Sequence, residues 1–181
     1  MPTKVITLDE SSFKTTCTKL EESVRQSDFE PDCVLSIANG GVYVGNEIFQ
    51  ELPHLSTKLQ RASTERKSRF RYVFKHLPRC VLDYMRIFES WIRQISPPDR
   101  EQRHTDVSIP DLRAYSRILI VDDAVDSGAT LHRIVNSIRL SYPSAELHCA
   151  VITVTTRQPM ITPDYFIYKS ILIRFPWSMD A

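Results

Sequence analysis

Apolar residues Phe13, Cys17, Leu20 and Val24 recur at the three-and-four spacing of one helix face, and Asp9, Glu10 and Ser11 stand ahead of them as starting signals. The spacing predicts a first helix that ends near Asp28. Before it, Val5-Ile6-Thr7-Leu8 is strand-like. Cys33-Val34-Leu35-Ser36-Ile37 follows a Pro31-Asp32 pair and predicts a short strand buried on both sides, broken by Asn39-Gly40-Gly41. Val44, Ile48, Phe49 and Leu52 then predict the inner face of a second helix, stopped by Pro53.

The middle third is less regular. Residues 55–75 have room for two strands, the second marked by the alternation of Phe70, Tyr72 and Phe74. Val81, Met85, Phe88, Ile92 and Ile95 predict a long helix, ended by Pro97-Pro98. Residues 99–108 are polar, without periodicity, and are expected to form a mobile loop. Ile118-Leu119-Ile120-Val121 has the continuous apolar character of a central parallel strand, and Leu131, Ile134, Val135 and Ile138 mark the helix after it. Residues 147–154 predict another central strand; Tyr165-Phe166-Ile167-Tyr168 and Ile171-Leu172-Ile173 are strand candidates near the end. Strands alternating with helices predict an α/β fold with a mainly parallel central sheet flanked by helices. With no repeat or linker, residues 1–181 are expected to form a single domain.

Composition narrows the function. The net charge of +1 gives no field that would advertise nucleic acid or a membrane surface as a partner. No apolar run reaches the length of a membrane span, and Met1-Pro2-Thr3-Lys4 leads into a strand without a signal-like apolar region, so a cytoplasmic location is expected. Cys17, Cys33, Cys80 and Cys149 form no close pair. Three of them fall on apolar faces as small core residues, with neither a zinc pattern nor a disulfide framework. The chain has only four glycines, Gly40, Gly41, Gly45 and Gly128. Three of them fall in two strand-to-helix loops, where backbone needs positive φ or close approach to a ligand.

The second of those loops carries the chemistry. After Ile118-Leu119-Ile120-Val121 the chain reads Asp122-Asp123-Ala124-Val125-Asp126-Ser127-Gly128-Ala129-Thr130. In open α/β sheets ligands bind at the carboxyl ends of the strands. Unpaired N–H groups at the helix start can cradle a phosphate, with Gly128 permitting close approach and Ser127 and Thr130 adding hydroxyls. The acid pair is wrong for a second phosphate but right for accepting hydrogen bonds from two adjacent sugar hydroxyls. Together these groups describe a ribose 5-phosphate. A plainer reading, in which Asp122, Asp126 and Ser127 cap the helix and hold the turn, accounts for one such residue but not the set.

This segment resembles the phosphoribosyl-pyrophosphate signature of the type I phosphoribosyltransferases: four apolar residues, two acids, then Asp-Ser-Gly-x-Thr. The resemblance implies transfer of a phosphoribosyl group from phosphoribosyl pyrophosphate to a nitrogenous base, with Mg²⁺ as cofactor. It implies that Asp122 and Asp123 bind the ribose hydroxyls, and the metal through water, and that residues 126–130 bind the 5-phosphate. It makes Asp126 the candidate proton acceptor. Residues from Phe29 to Gly45 look like the family's first strand and loop, so Ala38, Asn39, Gly40 and Gly41 are expected at the pyrophosphate, Asn39 standing where many relatives carry Arg or Lys. Pro163-Asp164-Tyr165 and Phe175-Pro176-Trp177 resemble the end of small xanthine, hypoxanthine and guanine phosphoribosyltransferases, which implies a purine acceptor stacked on Trp177 beneath a small C-terminal hood.

The likeness covers residues 29–54 and 113–177, leaving a variable insertion around 55–110. There Arg61, Arg66, Lys67, Arg69, Arg71, Lys75 and Arg79 either help neutralise pyrophosphate or form a solvated face. The wide apolar face of the helix over 81–95 is expected to be core, with part of it either packing against a second subunit or forming a hood over the base; a homodimer is expected. Two other readings stay open: the same fold acting on a non-purine or ribosylated metabolite, in the pyrophosphorolytic direction, or a regulator that senses phosphoribosyl pyrophosphate.

Overall fold

Successive residues of a strand go to opposite faces of its sheet, and in the strand Ile118-Leu119-Ile120-Val121 both faces are buried. The computed structural model describes residues 4–59 and 107–178. In chain order its elements are β1 (Lys4–Thr7), α1 (Glu10–Arg25), β2 (Cys33–Ile37), α2 (Gly40–Gly45), β3 (His54–Leu59), β4 (Val107–Ser108), β5 (Arg117–Val125), α3 (Ala129–Ser141), β6 (Glu146–Val154), β7 (Tyr165–Lys169) and β8 (Ile171–Arg174). The main sheet has the order β4-β3-β2-β5-β6-β7, parallel throughout except for the antiparallel β3–β4 pair. This is the mainly parallel α/β architecture that the hydrophobic pattern predicts.

Leu119 and Val121 of β5 join Val34, Ala150 and Ile152 in one core, under the buried stripe of α1, Phe13, Cys17, Leu20 and Val24, and under Val44 of α2. Ile118 and Ile120 face the other way. They pack with Cys33, Leu35 and Val151 against Leu131, Ile134 and Ile138 of α3. Each fully buried Leu or Ile contributes roughly 1.5–3 kcal/mol relative to exposure, so a strand with four such residues belongs at the centre of the sheet. Cys17, Cys33 and Cys149 are buried free thiols, and loss of hydration pushes each up to about 12.

The pairs Pro31-Asp32 and Pro163-Asp164 have matching structural work. Asp32, just before β2, accepts the backbone N–H groups of Ser116 (2.7 Å) and Arg117 (3.1 Å) where β5 begins. Asp164, just before β7, accepts the N–H of Cys149 in β6 at 2.7 Å. Each carboxylate continues a backbone ladder beyond the point where strand pairing ends.

Several boundaries differ from the sequence reading. The second helix stops at Gly45; three-residue turn bonds from Glu47 to Val44 and from Ile48 to Gly45 follow it, and Phe49 takes a positive φ of 46°, outside helical geometry. Its N–H is held by Glu21 Oε2 at 3.2 Å and the Arg25 guanidinium lies 4.5 Å from its ring centre, so Ile48 and Phe49 reach the core from a turn. Val107 and Ser108, expected within a mobile loop, pair as a short strand with Lys58 and Leu59. The last strand leaves the main sheet at Ser170 (φ 58°), and β8 pairs in parallel with β1 as a separate two-stranded sheet. Of the two strands expected over 55–75, the first corresponds to β3. The second, the helix over 81–95, Cys80, the cationic residues from Arg61 to Arg79 and the loop through residue 106 lie outside the described residues. Among the described residues, no helix is long and apolar enough to cross a membrane.

The strand order also locates the site. From β2 the chain moves outward to β3, whereas from β5 it moves the other way to β6 and β7. The adjacent parallel strands β2 and β5 therefore straddle the point where the winding reverses, and their following helices diverge to opposite faces. A crevice opens between their carboxyl ends.

Candidate active site

Pairing between β2 and β5 runs only as far as Ser36 opposite Val121. On its other side β5 continues to pair with β6, through Asp122 opposite Val151 and Val125 opposite Val154. Asp122 and Asp123 are therefore strand residues, not the start of the loop as the sequence pattern suggests. They sit on a strand whose β2 side has just lost its neighbour. The opening is a cavity of about 620 Å³, lined by Ala38, Asn39 and Gly40 from the first loop, by every residue from Asp122 to Thr130, and by Trp177 from the chain end.

Gly41 lies behind the cavity wall. A Cβ there would come within 2.6 Å of the Val121 carbonyl oxygen, and a Cβ on Gly40 would fall 2.0 Å from Asp123 Oδ2. Both glycines are required by close approach of the first loop to the acid pair. Asn39, which caps α2, adopts φ 79° and ψ −107°, a region that L residues rarely occupy.

Asp122 and Asp123 keep part of their surface toward the cavity while protein encloses them on the other sides. Loss of hydration is the main cause that raises Asp122 well above the ordinary carboxylate range, and the charge of Asp123 adds to it. Asp123 is raised too, again chiefly by desolvation, although its hydrogen bond with Asp122 opposes the shift. Asp122 Oδ1 also accepts the N–H of Asp123 at 2.9 Å. A buried acid pair accepts hydrogen-bond donors or a cation readily, since either relieves the charge crowding.

The loop that follows is anchored on both sides. The Thr155 hydroxyl donates to Asp126 Oδ1, and Thr155 N–H donates to the Val125 carbonyl at 2.9 Å. Met160 N–H donates to the Ser127 carbonyl at 2.8 Å. Gly128, at φ 76°, is the N-cap of α3 and brings no capping side chain, while Ser127 makes only a long 3.4 Å contact with the N–H of Ala129. Asp126, Ser127 and the first residues of α3 all line the cavity, and the first-turn amides of a helix lack partners within it.

Beyond the expected residues, Ile37, Tyr43 and Leu131 also line the cavity. Tyr43 is half-exposed and stacks on Trp177, with ring centres 4.3 Å apart and planes 11° off parallel. Its only signal in the sequence is a bulky aromatic in a six-residue helix between Gly41 and Gly45. Thr155 carried no signal at all, since its hydroxyl meets Asp126 only through sheet pairing. Among the described residues there is no group of three or more His, Cys, Asp or Glu side chains able to hold a metal ion.

This arrangement has relatives. A family model described as the phosphoribosyl transferase domain matches residues 7–181. A purine phosphoribosyltransferase from Pyrococcus horikoshii is similar in structure, with a TM-score of 0.63 at 18% identity over 96% of this chain and 94% of that one. The xanthine-guanine-hypoxanthine phosphoribosyltransferase of Helicobacter pylori gives a TM-score of 0.68 at 16% identity, covering 97% of this chain and 95% of its own. An orotate phosphoribosyltransferase from Aeropyrum pernix gives 0.52 at 13% identity, over 89% and 73%. No curated protein sequence matches the chain. A family model that spans nearly the whole chain, on a type I phosphoribosyltransferase fold, establishes that this protein belongs to the phosphoribosyl transferase domain family and is a pentosyltransferase.

Proposed function

We propose that the enzyme transfers the ribose 5-phosphate group of phosphoribosyl pyrophosphate to a purine-type base and releases pyrophosphate. The observation that carries this reading is one cavity that joins a buried acid pair, an amide-rich helix start and an aromatic stack. Ribose diol, 5-phosphate and flat base need those three surfaces, respectively.

In this reading Asp122 and Asp123 accept hydrogen bonds from the two adjacent ribose hydroxyls. The amides and hydroxyls of residues 126–130 hold the 5-phosphate, and the backbone of Ala38, Asn39, Gly40 and Gly41 lies beside the pyrophosphate. The bond from the anomeric carbon to the pyrophosphate oxygen breaks, and its electron pair leaves with pyrophosphate. A ring nitrogen of the base forms the new bond to that carbon and loses its proton, for which Asp126, oriented by Thr155, is the acceptor. The protein contributes mainly position and electrostatics.

The donor set fits Mg²⁺. Asp122 and Asp123 offer hard oxygens, directly or through water, but only a partial shell, which suits an ion that completes its coordination with water and substrate phosphates. When bound, Mg²⁺ would offset charge on the pyrophosphate leaving group.

The test is a panel of purine and pyrimidine bases assayed with phosphoribosyl pyrophosphate for pyrophosphate release. Purine turnover is expected. The double variant Asp122→Asn, Asp123→Asn should fold normally and lose about a thousandfold or more in kcat/KM. Turnover of no purine removes the proposed acceptor, and full activity in the double variant removes the proposed site.

A further inference from the structure

Trp177 is nearly parallel to two rings at once: Phe175, at 4.8 Å and 9°, and Tyr43, at 4.3 Å and 11°. Two rings that close to a single indole face, and parallel to it, would overlap one another, so they cover opposite faces. Phe13 meets the same indole at 5.0 Å and 87°, an edge contact. Trp177 therefore has no open face to offer a planar ligand, although it borders the cavity. Phe175 is 5% exposed and lies in the core, whereas Tyr43 is 50% exposed and lines the cavity.

We infer that Tyr43, the outermost ring of the Phe175–Trp177–Tyr43 stack, is the platform on which the planar acceptor base lies. Trp177 and Phe175 position that ring from behind. The inference rests on the proposed function and assigns to Tyr43 the stacking role that the family resemblance gives to Trp177. The chemistry supports it. A tyrosine ring with one face against an indole and the other open offers dispersion to any flat heteroaromatic ring. Its position on α2, directly after the loop Asn39-Gly40-Gly41, couples the base platform to the loop beside the pyrophosphate. Stacking reads the flatness of a base but not its edge pattern, so Tyr43 sets the class of acceptor and leaves the choice among bases to edge contacts.

The experiment is calorimetric binding of two probes to the full chain: ribose 5-phosphate, and a purine nucleoside 5′-monophosphate, which adds only the base. The wild type is expected to bind the nucleotide more tightly. Tyr43→Ala should weaken nucleotide binding by about 10- to 100-fold, leave ribose 5-phosphate unchanged, and be rescued by Tyr43→Phe. Unchanged nucleotide affinity in Tyr43→Ala overturns the inference. So does tighter binding, which would mean that Tyr43 blocks Trp177 instead of replacing it. Should Tyr43→Ala disturb the loop and lose ribose 5-phosphate as well, Tyr43→Leu keeps the bulk without the ring, and wild-type nucleotide affinity there is equally fatal. Failure of the wild type to bind ribose 5-phosphate is a different result: it overturns the reading of the site itself, and the inference with it.

Discussion

The two loops at the mouth of the crevice do their work in contrasting ways. The segment that runs from the end of β5 into α3 carries its chemistry in its own side chains and amides: two acids on the strand, then a third acid, two hydroxyls and a glycine in one continuous stretch. The loop after β2 has little chemistry of its own, and its character comes from contact. Gly40 lies under the Asp123 carboxylate and Gly41 against the Val121 carbonyl, so the first loop is shaped by the second. The comparison teaches that a weak local pattern such as Asn-Gly-Gly acquires meaning from the strand beside it, not from its own sequence.

Substituting at the contact is the strongest way to break this dependence. In Gly40→Ala the new methyl would occupy the position of the Asp123 carboxylate, so either the loop or the acid must move. A displacement of that size is expected to lower kcat/KM about a hundredfold, and overpacking to cost about 1–3 kcal/mol in denaturant unfolding. Wild-type kinetics in this variant would show the two loops to be independent.

The charge held at the end of β5 has a smaller and opposite effect on stability. Both acids have folded values raised above the ordinary 3.8. The folded chain therefore keeps protons that the unfolded chain releases, and the pair's contribution to stability falls as pH rises from 3.8 through the raised values. Asp122→Asn should reduce this slope, leaving the part due to the desolvation of Asp123. It should also raise Tm by roughly 2–4 °C near neutral pH, about 1 kcal/mol for a chain of this length, while reducing activity. A melting series across pH on both proteins checks the sign; a wild type whose stability climbs with pH through that window would contradict it.

The smallest effect belongs to Asn39. At φ 79° and ψ −107° its backbone is strained, and Asn39→Gly should relieve this by somewhat less than about 1 kcal/mol after the entropy cost of glycine. Chemical denaturation resolves a change of that size. Destabilisation would mean that the Asn39 side chain holds the loop.

Much of the scaffold was legible because burial repeats with a period. The stripe of α1 and the double-sided apolar runs of β5 and β6 name their own elements, since each position must reach a core. Phe49 was misread for the same reason: it is buried at helical spacing, but a turn fastened by Glu21 delivers it there. The acid pair was legible as chemistry and misplaced as structure, because strand pairing with β6 is a contact between residues nearly thirty positions apart.

What the sequence determined by itself is the set of groups that follow one another along the chain: the apolar strand, the two acids, and the amides and hydroxyls after them. Local order is enough there, because a strand entering a helix places those groups side by side whatever surrounds them. Tertiary structure alone decided the contacts between segments distant in sequence. These are Gly40 beneath Asp123, Thr155 holding Asp126, and Tyr43 covering the outer face of Trp177. The physical reason is that close packing and ring stacking depend on which surfaces the sheet order brings together, and no spacing along a single chain records that.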